Sequence, residues 1–396
     1  MQRSLLETDF GYRGITLELR KKMKIGINAR FISQPYTGIG QYTVNLFKKL
    51  AGISKGDEFV LVSNQKTEEK FPLNITVKII PEKKWLISAS LKKLYWEQVQ
   101  VPRFFTKNNF DILHFTYPAY PLKGLKTQSF ITIHDLIQFA DPQYLKKLRS
   151  RVYAWITKKC LTRASKNQKV KFVAVSDTTK SEFEKFFTID RKKIQTIYEG
   201  ASEEFLRPVT AKTNMKKPYL LYVGGYDPRK NIGYLLEVFE GVQKEIPEMN
   251  LVLAGGQALK SDFYGSYDLQ NGTKGYTLNT LKTGFVSEEE LNSLYKEAEA
   301  FINLSGGEGF NLPVLQSAYA GTPIIISDIP VHRELYSNHA LLIPTNDAKN
   351  ASGEIVAFMQ NENLKEKLRK ETTMLRAKYT WDKAAKKYYQ LYLTTL

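Results

Sequence analysis

Cysteine is almost absent from this sequence, which has one, Cys160, in 396 residues. A single cysteine excludes an internal disulfide, as is typical of proteins in a reducing compartment. Long apolar runs are missing too, because runs such as Phe172–Val175 and Pro323–Ile326 are far shorter than a bilayer span. The first 22 residues mix acidic and basic side chains, without an apolar stretch of signal-peptide length. The sequence therefore predicts a cytoplasmic protein in which residues 1–22 are an extension without chemistry.

Metal-binding patterns are also missing. No Asp-x-Asp occurs anywhere in the chain. The histidines have no metal-ligand spacing with cysteine or carboxylates; they are His114, His134, His332 and His339. We therefore expect no bound metal and no other resident cofactor.

Acidic residues are scarce in the first half of the chain. Residues 1–205 contain 36 Lys and Arg against 19 Asp and Glu, a net +17, whereas residues 206–396 contain 22 against 21, a net +1. A basic face attracts nucleic acid, an anionic membrane or a phosphorylated substrate, and a bias towards solubility is the plain alternative. Cations interleave with large apolar residues in Lys83–Ile87, Lys92–Trp96 and Tyr144–Lys159, which favours a membrane surface over an internally packed helix.

Short β-rich runs, such as Lys171–Ser176 and Asn250–Ala254, alternate with amphipathic helical patterns, such as Leu91–Phe105 and Tyr144–Arg163. This alternation predicts βαβ units and parallel sheets. We expect an α/β protein with two doubly wound, Rossmann-like domains facing across a cleft, where ligands bind at the carboxyl ends of the strands. The expected division is an extension at 1–22, a first domain at 23–205, a second domain at 206–380 and a final helix at 381–396.

Glu308 begins the most informative motif, Glu308-Gly309-Phe310-Asn311-Leu312, which precedes a predicted helix. Where a glycine turn opens a helix, free backbone N–H groups and the positive end of the helix dipole lie beside the carboxylate. Such a volume suits a hydroxylated ligand that also carries phosphate. A carboxylate that merely caps the helix is the alternative.

Two further motifs lie in the first half. Gly38 and Gly40 open a helix after the first strand, but a dinucleotide fingerprint would need a third glycine, so the turn alone predicts only a tight bend. His134 and Asp135 end a predicted strand. A lone histidine is more often structural, although strand tips are where sites of α/β proteins form.

A second glycine turn, Gly224-Gly225, follows the first strand of the second predicted domain and precedes Arg229 and Lys230. Two cations beside a helix start can neutralise a diphosphate, with Arg binding two oxygens and Lys acting as a point charge. A surface turn with two solvated cations is the alternative.

The segment from Glu308 to Gln316 closely resembles the signature of the retaining glycosyltransferases of family 4, which have the GT-B fold. In that signature a Glu and a second acidic residue are separated by seven residues; Glu308 matches the first position, and Gln316 replaces the usual Glu at the second. Thr37–Tyr42, His134-Asp135 and Val223–Asn231 resemble other motifs of the same family.

The resemblance implies a hexosyltransferase that moves a sugar from a nucleotide diphosphate to a hydroxyl of a glycan or lipid-linked acceptor, with retention and without a metal. It implies that Glu308 orients the donor sugar, aided by the backbone of Phe310 and Asn311, that His134 borders this sugar, and that Arg229 and Lys230 offset the diphosphate charge. The implied donor-binding set is completed by Gly38, Gly40, Gly224, Gly225, Gly309, Leu312 and Gln316.

Two rival functions stay open at this point. A GT-B sugar-nucleotide epimerase would bind a similar donor without an acceptor. A nucleic-acid-binding protein would use the basic first half, but no stacking or recognition motif accompanies that charge, so we expect no nucleic acid. With a lipid-linked acceptor, the basic first domain predicts peripheral docking on the inner face of an anionic membrane.

Overall fold

The first domain is built on a parallel sheet. The computed structural model describes residues 21–209, 212–256 and 279–395. Its first seven strands in these ranges are β1 Lys24–Asn28, β2 Glu58–Ser63, β3 Ile75–Ile79, β4 Ile112–Phe115, β5 Gln128–Ile133, β6 Val170–Ala174 and β7 Ile194–Thr196. They pair in the order β3-β2-β1-β4-β5-β6-β7, all in parallel. The central strands are buried on both faces, which explains their continuous apolar sequences.

The second domain has a sheet of the same kind. Its described strands are β8 Tyr219–Val223, β9 Asn250–Ala254, β10 Thr280–Gly284, β11 Ala300–Asn303, β12 Ile324–Ser327 and β13 Leu341–Ile343. They pair in parallel in the order β10-β9-β8-β11-β12-β13. In each sheet the strand order reverses beside the first strand, which is the switch point of a doubly wound fold. The prediction of two doubly wound α/β domains is confirmed.

Helices cover both sheets. The described α-helices are α1 Gly38–Ile53, α2 Ala89–Tyr95, α3 Val101–Lys107, α4 Ile137–Ala140, α5 Leu148–Lys166, α6 Asp177–Phe186, α7 Ile232–Glu245, α8 Glu288–Glu297, α9 Leu312–Ala320, α10 Pro330–Tyr336, α11 Ala348–Met359, α12 Glu362–Lys378 and α13 Trp381–Leu393. Short 3₁₀ turns are formed by Arg30–Ser33, Pro142–Leu145, Arg191–Lys193, Glu203–Leu206 and Pro228–Lys230. In the described part of the chain, no helix is both long enough and apolar enough to cross a membrane.

One predicted helix, Leu91–Phe105, is divided in the structure. A π-helical turn, Trp96–Gln100, separates α2 from α3, and Val101 donates its N–H to the carbonyl of Trp96, five residues back. Pro102 lacks the N–H that would continue the regular ladder, so the turn before it widens. The wider turn buries Trp96 and Glu97.

The final helix, α13, packs on α1 of the first domain. The Tyr42 hydroxyl donates to the Tyr388 hydroxyl at 2.5 Å, and the Tyr392 hydroxyl lies 2.5 Å from Nδ1 of His114. These phenols are fully buried, so each requires a hydrogen-bond partner inside the protein. The chain of the second domain thus ends in contact with the first domain.

A carboxylate of the second domain also caps a helix of the first. Glu334 of α10 accepts hydrogen bonds from the backbone N–H groups of Asp177 and Thr178 at 2.8 and 2.7 Å. These N–H groups lie at the start of α6, where the helix dipole favours an anion. The contact fixes the two domains relative to each other on this side of the cleft.

Candidate active site

The predicted site residues lie at the carboxyl ends of the strands, where the two sheets face each other. His134 directly follows β5, Gly224 directly follows β8, and Glu308 lies in the loop between β11 and α9. The structure brings Glu308 together with Arg229 and Lys230, and it brings Gly309 against the backbone of His134. Residues up to 175 positions apart in sequence, from His134 to Gly309, therefore form one cluster.

Glu308 is clamped between the two predicted phosphate-binding cations. Its Oε1 accepts from Nζ of Lys230 at 2.6 Å, and its Oε2 accepts from Nη1 of Arg229. Burial opposes the charge on the carboxylate, but the two cations outweigh it and lower the pKa of Glu308 to about 2. Glu308 is therefore an anion at neutral pH, and it holds both cations in place.

Arg229 is held by further contacts. Its Nε donates to Oδ1 of Asp227 at 3.0 Å, and Tyr144 of the first domain donates its hydroxyl to the same oxygen at 2.7 Å. The carbonyl of Arg229 accepts from the N–H of Gly306 at 2.7 Å, next to the Glu308 loop. The guanidinium therefore has a fixed position at the junction of the two domains.

Gly309 is required by the closeness of the two domains. A Cβ atom at this position would overlap the carbonyl oxygen of His134. Thr179 completes the contact, because its hydroxyl lies 3.4 Å from the carbonyl oxygens of both His134 and Gly309. No side chain larger than hydrogen fits here without moving one domain.

His134 uses both ring nitrogens within the first domain. Nε2 lies 2.9 Å from the carbonyl oxygen of Thr116, and Nδ1 lies 3.1 Å from Oε1 of Glu199. A carbonyl only accepts, so Nε2 is the donor to Thr116. Glu199 was not found from the sequence, because the ion pair joins residues 65 positions apart.

Gln316 faces the glycine turn of the first domain. Its Nε2 donates to Oε1 of Gln41 at 2.8 Å, and its Oε1 accepts from the Tyr295 hydroxyl at 3.2 Å. In the same turn, a Cβ atom on Gly40 would overlap the carbonyl oxygen of Gln34, whereas one on Gly38 would meet open space. The turn therefore requires a glycine at position 40 and leaves room beside Gly38.

We predict that Gln316 lies at the donor site, so that Gln316→Leu weakens the binding of the expected nucleotide sugar several-fold, since Tyr295 and Gln41 each lose a hydrogen-bond partner. Gln316→Glu should maintain or strengthen binding, because the Gln41 amide can turn its NH2 group towards the new carboxylate. Isothermal calorimetry of the two variants measures both effects. Unchanged affinity in Gln316→Leu would remove this residue from the site.

The other predicted site residues shape the site through their backbone groups or their backbone conformation, not through their side chains. Phe310 and Leu312 are buried in the core, so only their backbone groups can reach a ligand. Asn311 has a left-handed φ of 70° before α9. Gly224 also has a positive φ, 152°, and the Tyr222 hydroxyl donates to the carbonyl of Gly225 at 2.6 Å.

His332 supports the Glu308 loop and was missed as a site residue. Its Nδ1 donates to the carbonyl of Ser327 at 2.8 Å, so Nε2 is free to accept from Nδ2 of Asn311 at 3.0 Å. The spacing of this histidine matches no metal-ligand pattern. Its position at the start of a helix after β12 was the available signal.

We predict that His332 makes the free energy of unfolding pH-dependent. Burial lowers its pKa from 6.5 to about 4. Between these pH values the unfolded chain binds a proton that the folded chain does not, so stability falls as the pH drops, by up to about 3 kcal/mol. His332→Asn should flatten the change in urea midpoint between pH 7 and pH 4.5, and equal slopes for the two proteins would contradict this.

Comparison with known proteins covers most of the chain. The model of the family described as "Glycosyltransferase Family 4" matches residues 36–205, and that described as "Glycosyl transferases group 1" matches residues 204–374. The O-antigen chain mannosyltransferase B of Escherichia coli is 27% identical over 367 residues, which cover 87% of this chain and 92% of the relative. The O-antigen chain mannosyltransferase RfbU of Salmonella typhimurium is 27% identical over 82% of this chain and 88% of the relative.

Solved structures share the fold at low identity. The sucrose-phosphate synthase of Thermosynechococcus elongatus superposes with a TM-score of 0.74 at 18% identity, covering 94% of this chain and 99% of that one. WaaG, described as a glycosyltransferase of lipopolysaccharide biosynthesis, gives a TM-score of 0.72 at 12% identity, covering 92% of this chain and 98% of that one. With both halves matched by family models and the two facing sheets in place, the chain belongs to glycosyltransferase family 4 and is a nucleotide-sugar-dependent glycosyltransferase with the GT-B fold.

Proposed function

We propose that this enzyme transfers a hexose from a nucleotide diphosphate sugar to a hydroxyl of a glycan or lipid-linked acceptor, with retention at the anomeric carbon and without a metal. The observation that carries the proposal is the buried clamp of Glu308 between Arg229 and Lys230 at the domain junction. Mannose is the favoured sugar, because the relatives that match most of the chain are named mannosyltransferases.

The clamp suits a reaction in which a diphosphate departs. The bond between the anomeric carbon and the phosphate oxygen breaks, and negative charge grows on that phosphate. Arg229 and Lys230 face two carboxylates, Glu308 and Asp227, and their remaining N–H groups can donate to the developing anion in a site shielded from water. Glu308 keeps the two cations aligned and presents its oxygens to the sugar hydroxyls.

Retention follows if the acceptor attacks from the face that the diphosphate leaves. The acceptor oxygen then bonds to the anomeric carbon while its proton passes to an oxygen of the departing phosphate. This route needs no covalent intermediate, which agrees with a Glu308 that is already committed to two ion pairs. NMR of the product formed from an α-linked donor should show an α-linkage, and a β-linkage would overturn the proposed retention.

The donor and the metal requirement are tested in one series. GDP-mannose is expected to support transfer in the presence of EDTA. The comparisons are UDP-glucose in place of GDP-mannose and buffer in place of EDTA. Full loss of activity with EDTA, restored by Mg²⁺, would overturn metal independence. A changed sugar in donor-only incubations would instead identify an epimerase.

We predict that Arg229→Ala and Lys230→Ala each weaken GDP or UDP binding more than binding of the matching nucleoside. Charge-assisted contacts to phosphate are lost in each case, while contacts to the base and ribose stay. Calorimetry should show about tenfold or greater weakening for the diphosphate, since such bonds contribute roughly 1.5–3 kcal/mol. Lys244→Ala, which removes an exposed cation on α7, is the control. Equal losses for nucleoside and diphosphate would assign the two cations another role.

We also propose that the first domain docks peripherally on an anionic membrane and binds no nucleic acid. Residues 23–205 contain 31 Lys and Arg against 16 Asp and Glu, and this net charge of +15 supports the docking. Co-sedimentation with vesicles should rise with the anionic lipid fraction and fall with salt, because screening acts within about 10 Å at 0.1 M. Equal, weak binding to neutral and anionic vesicles would contradict it, and salt-dependent binding to random duplex DNA would favour the nucleic-acid alternative.

A further inference from the structure

A groove of about 670 Å³ lies on the first domain between α2 and α5. Its walls include Leu91 and Leu94 from α2 and Leu148 and Val152 from α5, so its lining is mostly apolar. None of the residues of the Glu308 cluster lines it. The groove is therefore separate from the donor site.

The groove continues into an exposed apolar surface. Leu148, Val152 and Trp155 lie at positions i, i+4 and i+7 of α5, which places them on one face of the helix. They are 76%, 47% and 59% exposed, and Ile87, just before α2, is 98% exposed. Contiguous exposed apolar surface of this kind marks a site of interaction with a protein, a ligand or a membrane.

Positive charge surrounds this surface. Residues 83–96 contain four Lys, residues 142–166 contain eight Lys and Arg, and neither segment contains an acidic residue. Lys147 and Arg149 lie in the wall of the groove itself. A partner that satisfies both features has an apolar chain and an anionic head, because nucleic acid would leave the apolar walls in water and a purely apolar partner would leave the cations unused.

The groove lies close to the junction of the domains. Tyr144, whose hydroxyl donates to Asp227 beside Arg229, precedes Lys147 by three residues and the start of α5 by four. A chain of three residues spans at most about 11 Å. The wall of the groove at Lys147 is therefore joined by a short segment of chain to the residue that contacts Asp227.

We propose that the groove between α2 and α5 binds the hydrocarbon chain of a phosphate-bearing lipid, with Lys147 and Arg149 holding its phosphate. The inference deepens the proposed function, since it names the lipid-linked member of the two acceptor classes and rests on it. Binding is measured without any transfer reaction, so failure of this inference is distinguishable from failure of the proposed activity.

The test uses the full chain and dodecyl phosphate below its critical micelle concentration. Calorimetry should show binding to the unmodified protein and at least about tenfold weaker binding to Val152→Glu, which places a charge in the apolar wall. Leu73→Glu, at a fully exposed position of the same domain outside the groove, is the matched control and should bind normally. Leu148→Ser serves in place of Val152→Glu if that variant does not fold.

Two further ligands distinguish the contribution of the hydrocarbon chain to binding from that of the phosphate head group. Inorganic phosphate should bind far more weakly than dodecyl phosphate, because it lacks the chain, and dodecyl maltoside should bind more weakly because it lacks the anion. The double variant Lys147→Gln/Arg149→Gln should bind dodecyl phosphate more weakly and should bind dodecyl maltoside with unchanged affinity. Equal affinity for all three ligands, or unchanged affinity in Val152→Glu, would overturn the assignment. The assignment would also be overturned if no amphiphile binds and light scattering shows a dimer that Val152→Glu dissociates. In that case the groove would hold a second copy of the chain.

Discussion

Glu308→Gln is expected to lower the transfer rate by about 10²–10³-fold, the usual effect of removing one group that stabilises charge in a transition state. The amide keeps the size of the side chain but leaves Arg229 and Lys230 without the anion that aligns them. The larger change, Glu308→Ala, should also lower the free energy of unfolding by about 3 kcal/mol, because it leaves the buried Lys230 without a counter-charge and Arg229 with Asp227 alone. Single-turnover rates and urea unfolding measure the two effects.

Glu366→Gln provides the control for this prediction. Glu366 pairs with Lys370 at 3.5 Å on an exposed face of α12, and such a pair contributes at most about 1 kcal/mol. The control should keep both activity and stability. A folded Glu308→Gln variant with the turnover of the unmodified enzyme would remove Glu308 from the chemistry.

The elements of the fold could be predicted largely from the sequence, because their signals are local. β-rich runs such as Lys171–Ser176 and Asn250–Ala254 lie at or within one or two residues of the strands. The predicted helical stretch Leu91–Phe105 is helical throughout, but the π-helical turn before Pro102 changes its hydrogen-bond pattern, and the spacing of apolar residues does not indicate such a turn. The second part of the prediction Tyr144–Arg163 matches α5, whereas its first residues form a separate 3₁₀ turn.

The contacts within the site could not be predicted in the same way. The motifs that carry Glu308 and the two cations were found separately, but their ion pairs join residues 78 and 79 positions apart. No local pattern indicates such a pairing, and the sequence led us to assign Glu308 to the sugar and the cations to the diphosphate as independent groups. The hydrogen bond between Gln41 and Gln316 spans 275 positions and depends on how the two domains meet.

Gly309→Ala is expected to lower transfer by about 10²-fold or more, although it adds a single methyl group. The new Cβ would overlap the carbonyl oxygen of His134, which belongs to the other domain. Both sides of this contact are backbone, so no side chain can rotate away, and one domain or the Glu308 loop has to shift. A displacement of about 1 Å in a positioned site is enough for a loss of this size.

Gly307→Ala is the matched control for this change. It adds the same methyl group two residues earlier in the same loop, where the nearest atom is Cδ1 of Ile137 at an ordinary contact distance of 3.5 Å. We expect this variant to retain most of its activity. Steady-state rates with the same donor, together with thermal unfolding of both variants, separate lost alignment from lost folding. If Gly309→Ala and Gly307→Ala were equally active and equally stable, the close approach of the two domains at His134 would not be needed for transfer.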